Sequence, residues 1–163
     1  MNETAAVIRA ARPDDYTRLC ELYEQLDAFH RSARPDVFVR PEGAPRSLER
    51  VSALLAGPES TILVAERGSV VVGFATVVVR RISPNPVRPS TDYAELDEIV
   101  VDAAHRRQRL ALLLIAASEA WAAERGLKTL VIGVWAFNDA ARAVYERAGY
   151  EVQTLRLAKP LGL

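Results

Sequence analysis

Arg106, Arg107 and Arg109, with Gln108 among them, crowd a single turn of this chain. Before them runs Glu98-Ile-Val-Val-Asp-Ala-Ala-His, and after them Leu110-Ala-Leu-Leu-Leu. The first stretch is β-branched and apolar, as a buried strand is, and the second is apolar over helical length. A strand that turns sharply into a helix gathers the turn amides and the unpaired N–H groups of the helix start around one point, which makes an anion pocket. Arginine adds fixed positive charge in a geometry that matches phosphate oxygens. Taken alone, the cluster reads equally well as a solvated basic turn.

A second group lies in Trp135-Ala-Phe-Asn-Asp-Ala-Ala-Arg-Ala-Val-Tyr-Glu-Arg-Ala-Gly-Tyr-Glu. Asn138 is a good helix N-cap and Gly149 a good helix stop. Tyr145 shares a helix face with Ala141 and Ala148, as a core residue with a satisfied hydroxyl does. The same hydroxyl, placed near a leaving group, is a proton donor.

Carboxylates form the third group, in Tyr93-Ala-Glu-Leu-Asp-Glu-Ile-Val-Val. Strict alternation along a strand puts Glu98 with Ala94, Leu96 and Val100, and puts Glu95 and Asp97 with Ile99. A carboxylate on a partly apolar face suits a general base. Glu98 is the first candidate and Glu95 the second. Against this stands a purely structural reading in which Glu98 pairs with Arg80 or Arg81.

The elements that must carry these residues follow from periodicity and turn signals. Val7-Ile8-Arg9 is a short strand, and Pro13 with Asp14 as cap opens a helix with apolar residues at Leu19, Leu22, Tyr23, Leu26 and Phe29. Ser47 to Ala56 reads as a short helix stopped by Gly57-Pro58. Thr61 to Glu66 and Val70 to Arg81 form a hairpin about Arg67-Gly68-Ser69. Tyr93 to Val101 is a strand, Leu110 to Arg125 a helix ended by Gly126, and Thr129 to Trp135 a strand. Asn138 to Ala148 is a helix, and Tyr150 to Leu157 the last strand. The order is βααβββαβαβ in one α/β domain over residues 1–163. Its mixed sheet is antiparallel in the N-terminal half and parallel around the Leu110 helix.

Composition narrows the function classes. Lys plus Arg and Asp plus Glu are 21 each, so no overall field recruits nucleic acid or an anionic membrane. Cys20 is the single cysteine, which excludes an internal disulfide and suits a reducing cytoplasm. It falls on an amphipathic helix and reads as a small core residue. His30 and His105 are far apart, so no metal is expected. The start of the chain is acidic and broken by Pro13, unlike a signal peptide. The apolar run Leu110 to Ala117 is about half what a bilayer needs.

With these neighbours, the arginine turn resembles motif A of the GNAT N-acetyltransferases, Arg/Gln-x-x-Gly-x-Gly/Ala, with Arg106 in the first place and Ala111 in the last. The second group resembles that family's other marker, Asn-x-x-Ala-x-x-x-Tyr-x-x-x-Gly-Phe/Tyr, at Asn138, Ala141, Tyr145, Gly149 and Tyr150. The resemblance spans about Ile62 to Val152, and more loosely includes Ile8 to Asp15. It implies the GNAT acyl-CoA N-acyltransferase fold and direct acetyl transfer from acetyl-coenzyme A to a primary amine, with a small molecule as acceptor. It implies that Arg106, Arg107, Gln108, Arg109, Leu110 and Ala111 cradle the pyrophosphate. Val100 and Val101 would hydrogen-bond the pantetheine arm and acetyl carbonyl, Asn138 would bind the pantetheine or shape its channel, and Tyr145 would protonate the departing thiolate.

One position departs from the family: its first glycine is Arg109 here. If the backbone needs a positive φ there, arginine costs on the order of 1–2 kcal/mol. That departure favours the competing reading, a GNAT-fold module that binds or senses acyl-CoA with an impaired loop. The acceptor pocket of such folds implicates Phe29 to Phe38 and Ser83 to Tyr93. His30, Arg31, Arg34, Asp36 and Phe38 there suit a small zwitterionic or anionic amine. A homodimer through the sheet end or the last strand is a further expectation, since an open sheet edge calls for cover.

Overall fold

The computed structural model describes residues 5–161, which fall into two compact units, one ending at Gly133 and one beginning at Val134. In the first unit, strands β1 (Val7–Ala10), β2 (Ser60–Arg67), β3 (Val70–Ile82), β4 (Thr91–Val101) and β5 (Leu130–Ile132) form one sheet in that order. Helices α1 (Tyr16–Ala33), α2 (Leu48–Ala56) and α3 (Leu110–Glu124) pack on it. Pairing is antiparallel from β1 through β4, and β5 runs parallel to β4 after the α3 crossover.

The two faces follow from register. Leu19, Leu22 and Tyr23 of α1 and Val51 of α2 bury against Ile62, Val64, Phe74 and Val100 on one face. Trp121 and Ala122 of α3 bury against Val77 and Ala94 on the other. Apolar side chains on both faces explain why β3 is a near-continuous apolar run from Val70 to Val79, broken only by Gly73 and Thr76. Gly73 serves a separate need: a Cβ there would lie 2.8 Å from the Val100 carbonyl oxygen, so its lack of a side chain lets β3 and β4 close up.

Strict alternation fails at one place in β4. Thr76 pairs with Glu98, but its neighbour Val77 pairs with Leu96, which leaves Asp97 as an extra, bulged residue. Thr76 and Val77 point to opposite faces, so their partners do too. Glu98 therefore shares the α1–α2 face with Thr76, Phe74 and Val100, while Leu96 and Ala94 lie on the α3 face. Glu95, opposite Val78, joins Glu98. The expected grouping of Glu98 with Ala94 and Leu96, and of Glu95 with the other face, is thus corrected by the bulge.

Other boundaries also shift. The acid that closes the turn before α1 is Asp15, whose carboxylate accepts from the Arg12 amide at 2.7 Å, and not Asp14. The strand expected over Thr129 to Trp135 pairs only at Leu130–Ile132. In the second unit, α4 (Asp139–Arg147) starts at Asn138 as expected. The last strand, Tyr150 to Leu157, is absent: no regular element forms over residues 150–161, and Val152, Leu155 and Leu157 are exposed. Alternating apolar residues make a strand only when a neighbour pairs with their backbone.

Candidate active site

The arginine turn is built from its first residue. Asp102, at the end of β4, accepts from the Ala104 amide at 2.9 Å and from Gln25 of α1 at 3.3 Å, and pairs with Arg18 of α1. Gln25 returns a bond by accepting from the Ala103 amide at 3.0 Å. Burial opposes ionisation of Asp102, but the Ala104 amide, Arg18 and Gln25 outweigh it and bring its pKa down to about 2. A 3-10 turn over Ala103–His105 follows, and the Arg106 guanidinium reaches back to the Val101 carbonyl at 3.2 Å. Gln108 accepts from Arg67.

The backbone of this turn answers the question that Arg109 raises. Arg107 and Arg109 both have φ of +62°, the left-handed conformation that glycine favours. Arg109 is the N-cap residue of α3, and no side chain caps that helix. The first-turn amides of α3 thus lack intrahelical partners and side-chain acceptors alike. Ser47 and Asn138, by contrast, cap α2 and α4. A left-handed turn leading into an uncapped helix start fits a phosphate group. Because a β-carbon is strained at this φ, Arg109→Gly should stabilise the fold by about 0.5–1 kcal/mol, net of the extra freedom glycine has when unfolded. A higher urea midpoint with an unchanged slope is the expected reading.

Alongside the turn, β4 is left open. Its pairing with β5 covers only Ala94, Glu95 and Leu96. Among the described residues, no strand pairs with Asp97–Val101 on that side, and Val100 and Val101 lie in this stretch.

The α1–α2 face carries a charged cluster that sequence reading did not assemble. Arg46, immediately before the N-cap Ser47, donates from Nε and Nη2 to Glu98 at 3.0 and 2.7 Å. Its Nη1 and Nη2 reach Asp27 of α1 at 2.9 and 3.2 Å. The guanidinium carbon lies 4.7 Å from the ring centroid of Tyr23, one helical turn before Asp27. Thr76 donates weakly to Glu98 at 3.4 Å. The Tyr23 hydroxyl is fully buried and completes no hydrogen bond, and burial together with the Glu98 charge pushes its pKa well above the usual phenol range. Glu98 is thus ion-paired with Arg46, not with Arg80 or Arg81. Those two pair instead with Glu95 and with Asp92 and Glu59. A cleft of about 490 Å³, lined by residues that include Cys20, Glu24 and Pro45, lies beside the segment that leads into Arg46.

In the second unit, the Asn138 side-chain oxygen accepts from the Ala141 amide at 3.1 Å, so its capping role is realised. Tyr145 is buried, its ring 6.3 Å from that of Tyr150, and burial raises its phenol pKa to about 12. Of the acceptor-side residues expected from sequence, Arg31 pairs with Glu24 and Arg34 with Asp36, each at 2.6 Å. The His30 ring lies tilted against that of Phe38, with centroids 5.1 Å apart. Asp27, Arg46 and Tyr23 had only one sequence signal, the four-residue spacing that puts an acid beside Tyr23 on the helix face.

Residues 19–150 of the chain match the acetyltransferase (GNAT) family. The uncharacterized N-acetyltransferase YhfO of Bacillus subtilis (strain 168) is 32% identical over 147 residues, covering 90% of this chain and 91% of that protein. A solved single mutant of the BH1408 protein from Bacillus halodurans superposes with a TM-score of 0.89 at 23% identity, over 95% of this chain and 99% of the other. The aminoglycoside N-acetyltransferase AAC(6')-Iy, solved in complex with CoA, superposes with a TM-score of 0.69 at 21% identity, over 98% and 95% of the two chains. Among the described residues no helix is long and apolar enough to cross a membrane.

Proposed function

The chain belongs to the acetyltransferase (GNAT) family, and from that premise we propose that it moves an acetyl group from acetyl-coenzyme A directly to the primary amine of a small molecule. The observation that carries this reading is the uncapped start of α3 behind two left-handed arginines. In it, the amides from Arg106 to Ala111 and the nearby guanidinium groups take the pyrophosphate. The open edge of β4 at Val100 and Val101 takes the pantetheine arm, and an amide there polarises the acetyl carbonyl. Asn138 keeps its NH2 group for the same arm.

The chemistry then needs two proton movements. Glu98 takes a proton from the acceptor ammonium once Arg46 has released it, and the free amine attacks the thioester carbon. A C–N bond forms and the C–S bond breaks. Tyr145 gives its proton to the leaving thiolate and regains one as the new amide nitrogen loses its own. One proton per turnover passes to solvent.

A second reading, an acyl-CoA-binding module without turnover, draws on the strain at Arg109. Calorimetric titration of acetyl-coenzyme A separates the two when paired with thiol release in the presence of amines. Binding in the micromolar range with amine-dependent thiol release is the expected result. Binding without release for any amine favours the module. No binding by the protein or by Arg109→Gly, both folded, would overturn both readings.

A further inference from the structure

Arg46 fills a place that its own surroundings define as a cation site. Asp27 and Glu98 present two carboxylates to a single guanidinium, over the face of Tyr23. Both acids are largely buried, with side-chain exposure of 20% and 12%. Beneath them the Tyr23 hydroxyl stands buried without a hydrogen-bond partner. The Arg46 backbone is fixed, because its carbonyl accepts from Tyr16 at 2.9 Å and the next residue caps α2. Its side chain is held by these polar contacts and by the Pro45 carbonyl at 2.8 Å rather than by a helix or strand of its own, and stays 21% exposed. The residue before it, Pro45, lines the cleft.

We propose that Asp27, Arg46, Glu98 and Tyr23 form the acceptor subsite, closed in the absence of acceptor by Arg46 itself, and that it takes a zwitterionic amine. Charge accounting selects that class. A simple ammonium ion that displaces Arg46 satisfies the two acids but strands the guanidinium, which loses both partners at once. An amine that also bears a carboxylate leaves no charge stranded: its ammonium goes to Glu98 and Asp27, and its carboxylate to the released Arg46, a bidentate match. Arg46 is then a specificity residue that changes partners on binding. The word acceptor rests on the acetyltransferase reading; the binding of a zwitterion does not.

The test is binding, followed by thermal shift and calorimetry without acetyl-coenzyme A. Its ligands are the ω-amino acids from glycine to 6-aminohexanoate, each against the n-alkylammonium ion of equal chain length, at constant ionic strength. Wild-type protein should bind at least one ω-amino acid about tenfold or more tightly than its alkylammonium counterpart. Arg46→Ala should reverse that order, because two unpaired acids now favour the plain cation. Should Arg46→Ala fail to fold, Arg46→Gln carries the same expectation, and Glu98→Gln should weaken both ligand series. The proposal is overturned if wild type binds neither series, prefers the alkylammonium ions, or keeps its preference when Arg46 is replaced. Thiol release after acetyl-coenzyme A is added to the same samples reports separately on the acetyltransferase reading, which can fail while the subsite stands.

Discussion

Replacing Tyr145 by phenylalanine is expected to lower kcat about a hundredfold and to leave the affinity for acetyl-coenzyme A within about threefold. The phenol is buried, and burial raises its pKa to about 12, so it stays protonated at any pH at which the protein is assayed. A donor that never titrates there should add no alkaline limb to the rate profile below about pH 11. Phenylalanine keeps the ring, and with it the contact 6.3 Å from Tyr150, so the melting temperature should move little. Loss of kcat without loss of stability or of cofactor affinity isolates the proton. A variant with unchanged kcat would show that the thiolate takes its proton from elsewhere, and would remove Tyr145 from the mechanism.

Legibility in the sequence tracked distance along the chain. The strand-turn-helix at Glu98 to Ala117 and the helix expected from Asn138 to Ala148 are local, with caps, breakers and periodicity inside a dozen residues, and both form within a residue or so of where they were expected. The hairpin about Gly68 and the parallel crossover were legible for the same reason. The clasp at Arg46 was not, because it joins α1, the segment before α2, and β4, and Arg46 lies 52 residues from Glu98. Alternation also misplaced Glu98, since a bulge at Asp97 leaves no mark in residue type: an aspartate between Leu96 and Glu98 suits a regular strand position as well as a bulged one. The last strand failed in the opposite way. Val152, Leu155 and Leu157 have the right composition, but strand formation depends on a neighbour, and composition does not supply one.

Asp102 ties the arginine turn to the fold, and its loss should be felt most above pH 4. Its carboxyl falls from the ordinary 3.8 to about 2 in the folded protein, where the Ala104 amide, Arg18 and Gln25 together overcome the cost of burial. A folded pKa below the unfolded one means that the unfolded chain binds the proton more readily, so stability rises with pH through that window. The gap corresponds to on the order of 2 kcal/mol, fully present above about pH 4 and lost as pH falls toward 2. Asp102→Asn should therefore cost about 2–3 kcal/mol at neutral pH, measured by urea unfolding, since Arg18 loses one of its charged partners. Arg18 keeps Glu21 at 2.6 Å and the Val71 carbonyl at 2.9 Å, which limits the damage. The difference between variant and wild type should shrink as the pH is lowered below 4. A difference that stays constant with pH would mean that shape, not charge, is what Asp102 contributes. The charge reading also links the acid limb of stability to the proposed cofactor cradle, because the residue that titrates is the one that begins the turn. Wild-type affinity for acetyl-coenzyme A should then weaken over the same acid range, and the asparagine variant should bind it more weakly even at neutral pH.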